Sequence, residues 1–322
     1  MVLTLIDYVI ICAYFAITIG IGLYFRSRAS QDIGEYFVSG RSLPWWIAGT
    51  SMVATTFAAD TPLAVVGLTI QNGLAGNWVW WSFALGGMVT VFVYARLWRR
   101  SGVMTDVELV EMRYSGKPAA VLRGSRAIYI ALIVNPIIIG WVTSAMFSAG
   151  TGAVFMLRWF WWRINAWSEI VSMFGSLVFF LSVDPVAALM GFDPPRPEEK
   201  MFFVAVATII LWLVVTYITP PETEATLGAF YRKIRPGGNG WKPVAQRNPD
   251  IKVDTDLKLS IAGALAATGI VYSVLPGIGN LIFGHYTSAV ICGVVALIFS
   301  VVVGVIVNRL CKESLARAND DS

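Results

Sequence analysis

Residues 54–62, which read ATTFAADTP, place polar side chains in the middle of a strongly apolar segment. The stretch combines three hydroxyl groups, one carboxylate and a proline ring, namely Thr55, Thr56, Thr61, Asp60 and Pro62. Proline removes one backbone hydrogen-bond donor and crowds the carbonyl four residues earlier in the chain. Threonine hydroxyls bond locally to the backbone and so compete with the helix. We therefore predict a helix that is interrupted near Ala54–Asp60, with loosened carbonyls lining a polar cavity.

Asp60 is the residue of this stretch that an apolar surrounding tolerates least. A carboxylate at the centre of a bilayer costs roughly 2.5 kcal/mol or more, so such a group faces a cavity or a partner. One interpretation is a binding site for an ion or a polar solute, which is the default hypothesis for an ionisable residue in a membrane span. The other is a proline kink in which Asp60 only packs against a neighbouring span. The stretch alone leaves both interpretations open.

The elements that must position these groups are apolar helices. The chain has 322 residues, of which 57% are hydrophobic and 14% charged, and its mean hydropathy is +0.68. Soluble domains are about a quarter charged, and a helix needs about 20 apolar residues to cross a bilayer. We predict an all-α integral membrane protein with about eight spans, near residues 5–25, 43–70, 77–97, 127 onward, 166–183, 201–219, 259–282 and 286–308.

Other classes of function are poorly supported by the composition. The chain has one histidine and three scattered cysteines, which argues against paired metal-ligand motifs. No nucleophile stands with a base and supporting residues, so we do not predict an enzyme. The net charge of +4 needs no nucleic acid partner, because basic residues gather in the cytoplasmic loops of membrane proteins.

The distribution of Lys and Arg predicts the orientation in the membrane. The loops at residues 71–76 and 274–285 carry no basic residue, whereas the polar loop at 220–257 carries many. Because basic loops stay in the cytoplasm, we expect the N-terminus outside and the C-terminus inside. The rule would place both Arg126 and the basic stretch LRWFWWRIN in the cytoplasm, but the segment between them does not fit an even number of crossings. As one helix, residues 127–157 would be about 46 Å long, which is too long for one crossing and too short for two.

Three motifs carry a resemblance to a known family. They are EYFVSGRSLPWW at residues 35–46, LRWFWWRINAWSEI at 157–170, and TPPE followed by LGAFYRKIRPGGNGWKPV within 219–244. The chain resembles bacterial members of the sodium/solute symporter family. The resemblance implies part of a leucine-transporter-type fold of inverted repeats, in two blocks at 1–147 and 148–322. Family members usually have thirteen or more spans. We therefore expect that the central helices are missing near Phe147–Ala149, where the charge rule also fails.

The resemblance implies a function and its site residues. It implies a sodium-coupled symporter of a small organic solute in the bacterial inner membrane, incomplete as printed, with sodium as the coupling ion. The carbonyls of Ala54 and Phe57 would bind sodium, and no other metal is implied. The solute would meet Thr56, Asp60, Thr61, Trp80 and Trp81. The late core helix whose hydroxyls complete the sodium shell in the family is absent. The alternative is a non-transporting membrane protein derived from this family. Asp60 replaces a glutamate of some sugar carriers, so the solute need not be a sugar.

Two further predictions concern charged and aromatic residues outside the site. Indole rings settle at the depth of lipid headgroups, so we interpret Trp159, Trp161 and Trp162, with Arg158 and Arg163, as an interfacial anchor. A short amphipathic helix is predicted at Asp106–Arg113. Its acidic residues, Asp106, Glu108 and Glu111, are expected to form a solvated face.

Overall fold

The computed structural model describes residues 4–56, 60–134, 150–251, 253 and 256–320. Every regular element in these ranges is helical, which confirms the all-α prediction. The chain divides into two compact units, Met1–Trp80 and Trp81–Ser322. This division differs from the two blocks expected at 1–147 and 148–322, which remain a prediction about the relation to the family.

The first unit consists of long and short helices joined by tight turns. Its helices are α1 (Leu5–Ala29), α2 (Ile33–Val38), α3 (Trp45–Thr56) and α4 (Asp60–Asn72), with 3₁₀ turns at Ser39–Arg41 and Leu74–Asn77. Helix α5 (Trp78–Trp81) lies across the boundary between the units.

The motif at residues 35–46 folds around Arg28, at the end of α1. The Arg28 Nε donates to Glu35 Oε2 at 2.8 Å, and its Nη2 donates to Ser42 Oγ at 2.7 Å. Between these partners the backbone turns through the left-handed region at Ser39, with φ of 49°, and at Gly40, with φ of 58°. Glycine adopts such values at little cost. One guanidinium therefore binds both sides of the turn that leads into α3.

The second unit begins with a nearly continuous helical segment. It contains α6 (Phe83–Val89), a π-helical turn at Thr90–Tyr94, α7 (Ala95–Ser101), α8 (Asp106–Arg113), α9 (Gly116–Ile128), and a second π-helical turn at Tyr129–Val134. Beyond residues 135–149 follow α10 (Thr151–Leu157), α11 (Ala166–Leu189), α12 (Pro197–Ile218), α13 (Glu224–Ile234), a 3₁₀ turn at Asn239–Trp241, α14 (Lys242–Arg247), α15 (Leu257–Ile282) and α16 (Tyr286–Asp320).

Among the described residues, five helices are long and apolar enough to cross a membrane. They are Leu5–Ala29, Ala166–Leu189, Pro197–Ile218, Leu257–Ile282 and Tyr286–Glu313. These helices coincide with five of the predicted spans and are longer than most of them by a few residues. The span predicted at 77–97 is divided among α5, α6, a π-helical turn and α7. The one predicted from Ala127 belongs to a helix that starts at Gly116. The total of about eight spans remains a prediction.

The segment predicted as a polar loop at 220–257 contains two helices that pack on the core. Thr223 caps α13, because its hydroxyl accepts a hydrogen bond from the Thr226 N–H at 3.3 Å. The buried residues of α13 recur at helical spacing and face the protein: Leu227, Phe230, Tyr231 and Ile234. Polar composition indicated a loop, but an amphipathic helix has the same average polarity.

Trp159 lies at the centre of this core. It is 1% exposed, its ring meets that of Phe230 at a centroid distance of 6.0 Å, and its carbonyl accepts from Trp241 Nε1 at 2.9 Å. Arg158 is likewise buried, with 4% exposure. The interfacial-anchor prediction was therefore wrong for these two residues, because tertiary packing takes them into the protein instead of the headgroup layer.

Candidate functional site

The residues predicted to bind sodium and solute lie at the ends of three helices. Ala54 and Thr56 are in the last turn of α3, Asp60 and Thr61 begin α4, and Trp80 and Trp81 end α5. Phe57 lies outside the described residues, as do the side chains of Ala54, Thr56 and Asp60. The predicted interruption falls on residues 57–59, also outside the described part of the chain, and it remains a prediction.

The hydroxyl group of Thr61 is buried and can form a hydrogen bond with a polar group. Thr61 is 8% exposed, and its Oγ1 has no hydrogen-bond partner among the described residues. Thr69, two turns further along α4, shows the usual arrangement: its Oγ1 donates to the Val65 carbonyl at 2.8 Å and accepts from Asn77 Nδ2 at 2.7 Å. A buried hydroxyl without such bonds costs about 1–3 kcal/mol. Thr61 is thus suited to bind a ligand oxygen or hydroxyl.

Trp80 and Trp81 are half-buried and lie on either side of the boundary between the units. Within the second unit, Tyr272 donates from its hydroxyl to the Trp81 carbonyl at 2.9 Å. This bond attaches the end of α5 to the middle of α15. The relation of either tryptophan to Asp60 remains a prediction.

The second unit contains a buried charge cluster that the sequence did not reveal. It consists of Asp106, Tyr114, Arg126, Arg158 and Glu169. The Glu169 carboxylate is fully buried and accepts from Arg158 at 3.2 Å, Arg126 at 3.4 Å and the Tyr114 hydroxyl at 2.5 Å. Asp106 forms ion pairs with both arginines, at 2.7 Å to Arg158. Two carboxylates thus neutralise two guanidinium groups.

The pKa directions agree with this pairing. Burial alone would lower the pKa of Arg158, but the nearby Glu169 and Asp106 carboxylates outweigh it and raise that pKa. Burial, with the Glu169 charge beside it, raises the pKa of Tyr114 well above its ordinary value. Arg158 therefore stays charged and Tyr114 stays neutral as a hydrogen-bond donor.

The cluster corrects the prediction of a solvated acidic face on α8. Asp106 points towards Arg126 and Arg158 and is only partly exposed. Glu108 accepts from the Met104 N–H at 3.0 Å, before its own helix. Glu111 is exposed and pairs with Arg123, as a surface residue would. The spacing of these acids predicted the helix correctly, but not which of them bind residues distant in sequence.

Arg113 is a further buried cation, and it binds backbone carbonyls instead of a carboxylate. Its guanidinium donates to the carbonyls of Arg158 at 3.0 Å and of Trp161 and Trp162 at 3.2 Å each. It also lies 5.2 Å from the ring centroids of Tyr114, Phe230 and Trp241. Burial lowers the pKa of Arg113. This side chain satisfies the carbonyls after α10, where the helix has no further donors.

Chemically, the cluster is suited to hold segments together. Its charges are balanced, and the described residues contain no group of His, Cys, Asp and Glu side chains able to hold a metal ion. It connects α8 and α9 to the segment that contains Arg158 and to the start of α11. The failure of the charge rule at Arg158 was the sequence signal for it, because a buried arginine does not report the side of the membrane.

Comparison with known proteins addresses the first half of the chain. Residues 36–151 match the Sodium:solute symporter family. Over these residues, the chain is similar to members of that family. The matched range includes ATTFAADTP, Trp80 and Trp81. Members of that family are transporters, not enzymes.

Curated proteins that the chain is similar to include sodium/glucose cotransporters. The chain is 25% identical to sodium/glucose cotransporter 2 of Rattus norvegicus over 188 residues, which cover 58% of this chain and 26% of the rat protein. It is 29% identical to the sodium/glucose cotransporter of Vibrio parahaemolyticus over 123 residues, 37% of this chain and 23% of that protein. The chain thus spans about a quarter of the length of these relatives. No solved structure matches.

Proposed function

We propose that this chain carries the ion- and solute-binding segment of a sodium-coupled symporter for a small organic solute. The observation that carries the proposal is the family match across residues 36–151, which contain the acid, the hydroxyls and the proline of ATTFAADTP. The buried Thr61 hydroxyl, which has no hydrogen-bond partner within the described part of the chain, supports it from the geometry. Sodium is the proposed coupling ion, and the bacterial inner membrane is the proposed location.

In this proposal the loosened backbone between α3 and α4 holds the ion. Transporters of this kind coordinate Na⁺ with carbonyls of interrupted helices near the middle of the membrane. The carbonyls of Ala54 and Phe57 are the proposed ligands. Thr56, Asp60 and Thr61 would bind polar groups of the solute, and Trp80 and Trp81 would cover its apolar face.

Sodium held by two carbonyls alone would be poorly coordinated. An under-coordinated cation in an apolar surrounding is costly, and alternating access needs one helical bundle to rock against another. The family supplies further sodium ligands from a late core helix. We propose that the helices between the two blocks are missing near Phe147–Ala149 and that the chain by itself does not couple solute uptake to sodium.

The test is uptake of labelled solutes by proteoliposomes that contain only this 322-residue chain. Proline, glucose, galactose, myo-inositol and pantothenate are the solutes, with and without a sodium gradient. A full-length relative carrying the same ATTFAADTP stretch is the matched control. We expect sodium-dependent uptake by the relative, loss of it in the relative's variant equivalent to Asp60→Ala, and none by this chain.

Saturable sodium-dependent uptake by the short chain that disappears in Asp60→Ala would contradict the missing-helix proposal while supporting the assignment of the site. Normal uptake by the Asp60 variant of the relative would contradict the site. Calorimetric titration of this chain with sodium supplies a readout that does not depend on choosing the right solute, and we expect no binding.

A second candidate is a non-transporting membrane protein derived from the family. The buried charge cluster favours it, because Arg126 precedes residues 135–149 whereas Arg158 and Glu169 follow them, and the three residues pair closely. The short chain thus forms these buried ion pairs as printed. Sequencing of the native transcript across codons 140–155 separates the two: a continuous reading frame favours this candidate, and an omitted segment favours the first.

A further inference from the structure

The C-terminal ends of α7 and α13 meet and bring four basic residues together. Arg99 and Arg100 lie in the last turn of α7, and Arg232 and Lys233 in the last turn of α13. Arg100 Nη1 donates to the Ile234 carbonyl at 3.3 Å, so each helix is fastened to the other at this end. A Cβ placed on Gly102, just after α7, would lie 3.9 Å from Lys233 Nζ. We call these four residues the basic junction.

The ion pairs and hydrogen bonds among the described residues do not neutralise all of the positive charge at the basic junction. Arg99 and Lys233 are exposed and have no hydrogen-bond or ion-pair partner among the described residues. Several acids of the surrounding segments already pair with other cations, in Asp256–Arg96, Glu111–Arg123 and Glu224–Arg247. Arg232 donates to the Asn248 side chain at 3.4 Å. Cations suit helix C-termini, but a helix end alone does not require two exposed cations without partners.

The position of the basic junction along the chain suggests the depth of lipid headgroups. It follows an apolar helical segment, α6 and the π-helical turn at Thr90–Tyr94, and precedes the polar residues of α8. Trp98, next to Arg99, packs edge-on against the buried Trp159 with ring centroids 5.1 Å apart, so it attaches this end of α7 to the protein core. In membrane proteins basic side chains at the end of an apolar helix reach the headgroup layer.

We propose that the basic junction binds the headgroup of an anionic phospholipid. A guanidinium can donate two parallel hydrogen bonds to phosphate oxygens, whereas an ammonium group acts as a compact point charge. Arg99 and Lys233 supply one of each, and Arg232 adds charge beside them. Anionic lipids concentrate at the cytoplasmic surface and attract such clusters. The site is independent of sodium and of transport.

The test is native mass spectrometry of the full chain in detergent, titrated with phosphatidylglycerol or with phosphatidylcholine. We expect a preference for phosphatidylglycerol. The double variant Arg99→Gln with Lys233→Gln should weaken phosphatidylglycerol binding about 30-fold, the combined effect of two surface cations. Arg99→Lys should retain most of it, because the charge remains.

The matched control is the double variant Lys117→Gln with Lys242→Gln, which removes two exposed charges from α9 and α14. This control should bind phosphatidylglycerol like the natural chain. Equal losses in the two double variants would mean nonspecific electrostatic attraction and would overturn the site, as would equal binding of both lipids.

Inorganic phosphate should not displace the lipid at matched concentration. Displacement would identify a soluble anion as the ligand and overturn the lipid assignment. Lys233→Glu, a single substitution at an exposed position, provides a second variant if the first fails to fold.

Discussion

The Glu169 carboxylate and the Arg158 guanidinium form an ion pair of 3.2 Å in which the two side chains are 0% and 4% exposed. These residues are eleven positions apart and follow residues 135–149 in the sequence. Arg126, which precedes residues 135–149, also pairs with Glu169. Buried charges are tolerated only when each has a partner. The packing of α9 against α11 therefore depends on Glu169.

Replacement of Glu169 by Gln should destabilise the chain strongly. The variant leaves Arg158 and Arg126 buried with only Asp106 to neutralise them, and breaking a buried pair in this way costs about 3–5 kcal/mol. The measurement is denaturant unfolding of the purified chain in detergent. Glu111→Gln is the control, because its pair with Arg123 is exposed and such pairs contribute about 0–1 kcal/mol. Similar stability of both variants would show that the cluster is not important for the fold.

Arg113→Lys should also destabilise the second unit, although it keeps the charge. The guanidinium binds three carbonyls, of Arg158, Trp161 and Trp162, and an ammonium group cannot reproduce that planar geometry. Loss of these bonds in a buried site should cost about 2 kcal/mol. Unfolding midpoints in detergent measure it, with the exposed Arg99→Lys as a variant that should remain neutral. A neutral Arg113→Lys would mean that ring contacts alone hold this side chain.

Gly240→Ala should disturb the attachment of the 3₁₀ turn at Asn239–Trp241 to the core. A Cβ at this position would collide with the Phe160 carbonyl oxygen, which is backbone and cannot move aside easily. We expect a loss of about 1–3 kcal/mol, as for other overpacked sites. Gly124→Ala is the matched control, because a Cβ on this residue of α9 meets nothing within 4 Å. Alanine in a helix interior should stabilise by up to about 1 kcal/mol. A destabilised Gly124→Ala together with a neutral Gly240→Ala would contradict the packing described for both glycines.

The orientation in the membrane can be tested by cysteine labelling in intact cells. The three natural cysteines, Cys12, Cys292 and Cys311, are first replaced by serine. A cysteine at position 74 should then react with an impermeant reagent, and one at position 238 should not, because the basic loops are predicted to be cytoplasmic. Labelling in permeabilised cells verifies that position 238 is reactive. The reverse pattern in intact cells would overturn the predicted orientation.

Hydropathy alone predicted the five long helices, because the requirement for a span is local. About 20 consecutive apolar residues satisfy it wherever they lie in the chain, and α11, α12, α15 and α16 each meet it in their own sequence. The same locality explains the amphipathic helix Asp106–Arg113. Pattern and length were sufficient for these elements because both are local properties of the sequence.

The roles of charged and aromatic side chains were decided only by the tertiary structure. Arg158 and Trp159 are residue types that are typical of an interfacial anchor. In the structure, however, Arg158 is buried in ion pairs with Glu169 and Asp106. Trp159 is buried against Phe230 and Trp241. Whether an arginine meets water, lipid or a buried acid depends on residues far away in sequence. The sequence by itself located the polar stretch between α3 and α4, and the interruption of the helix there remains a prediction. The Thr61 hydroxyl, which has no hydrogen-bond partner among the described residues, could be recognised only once packing had buried it.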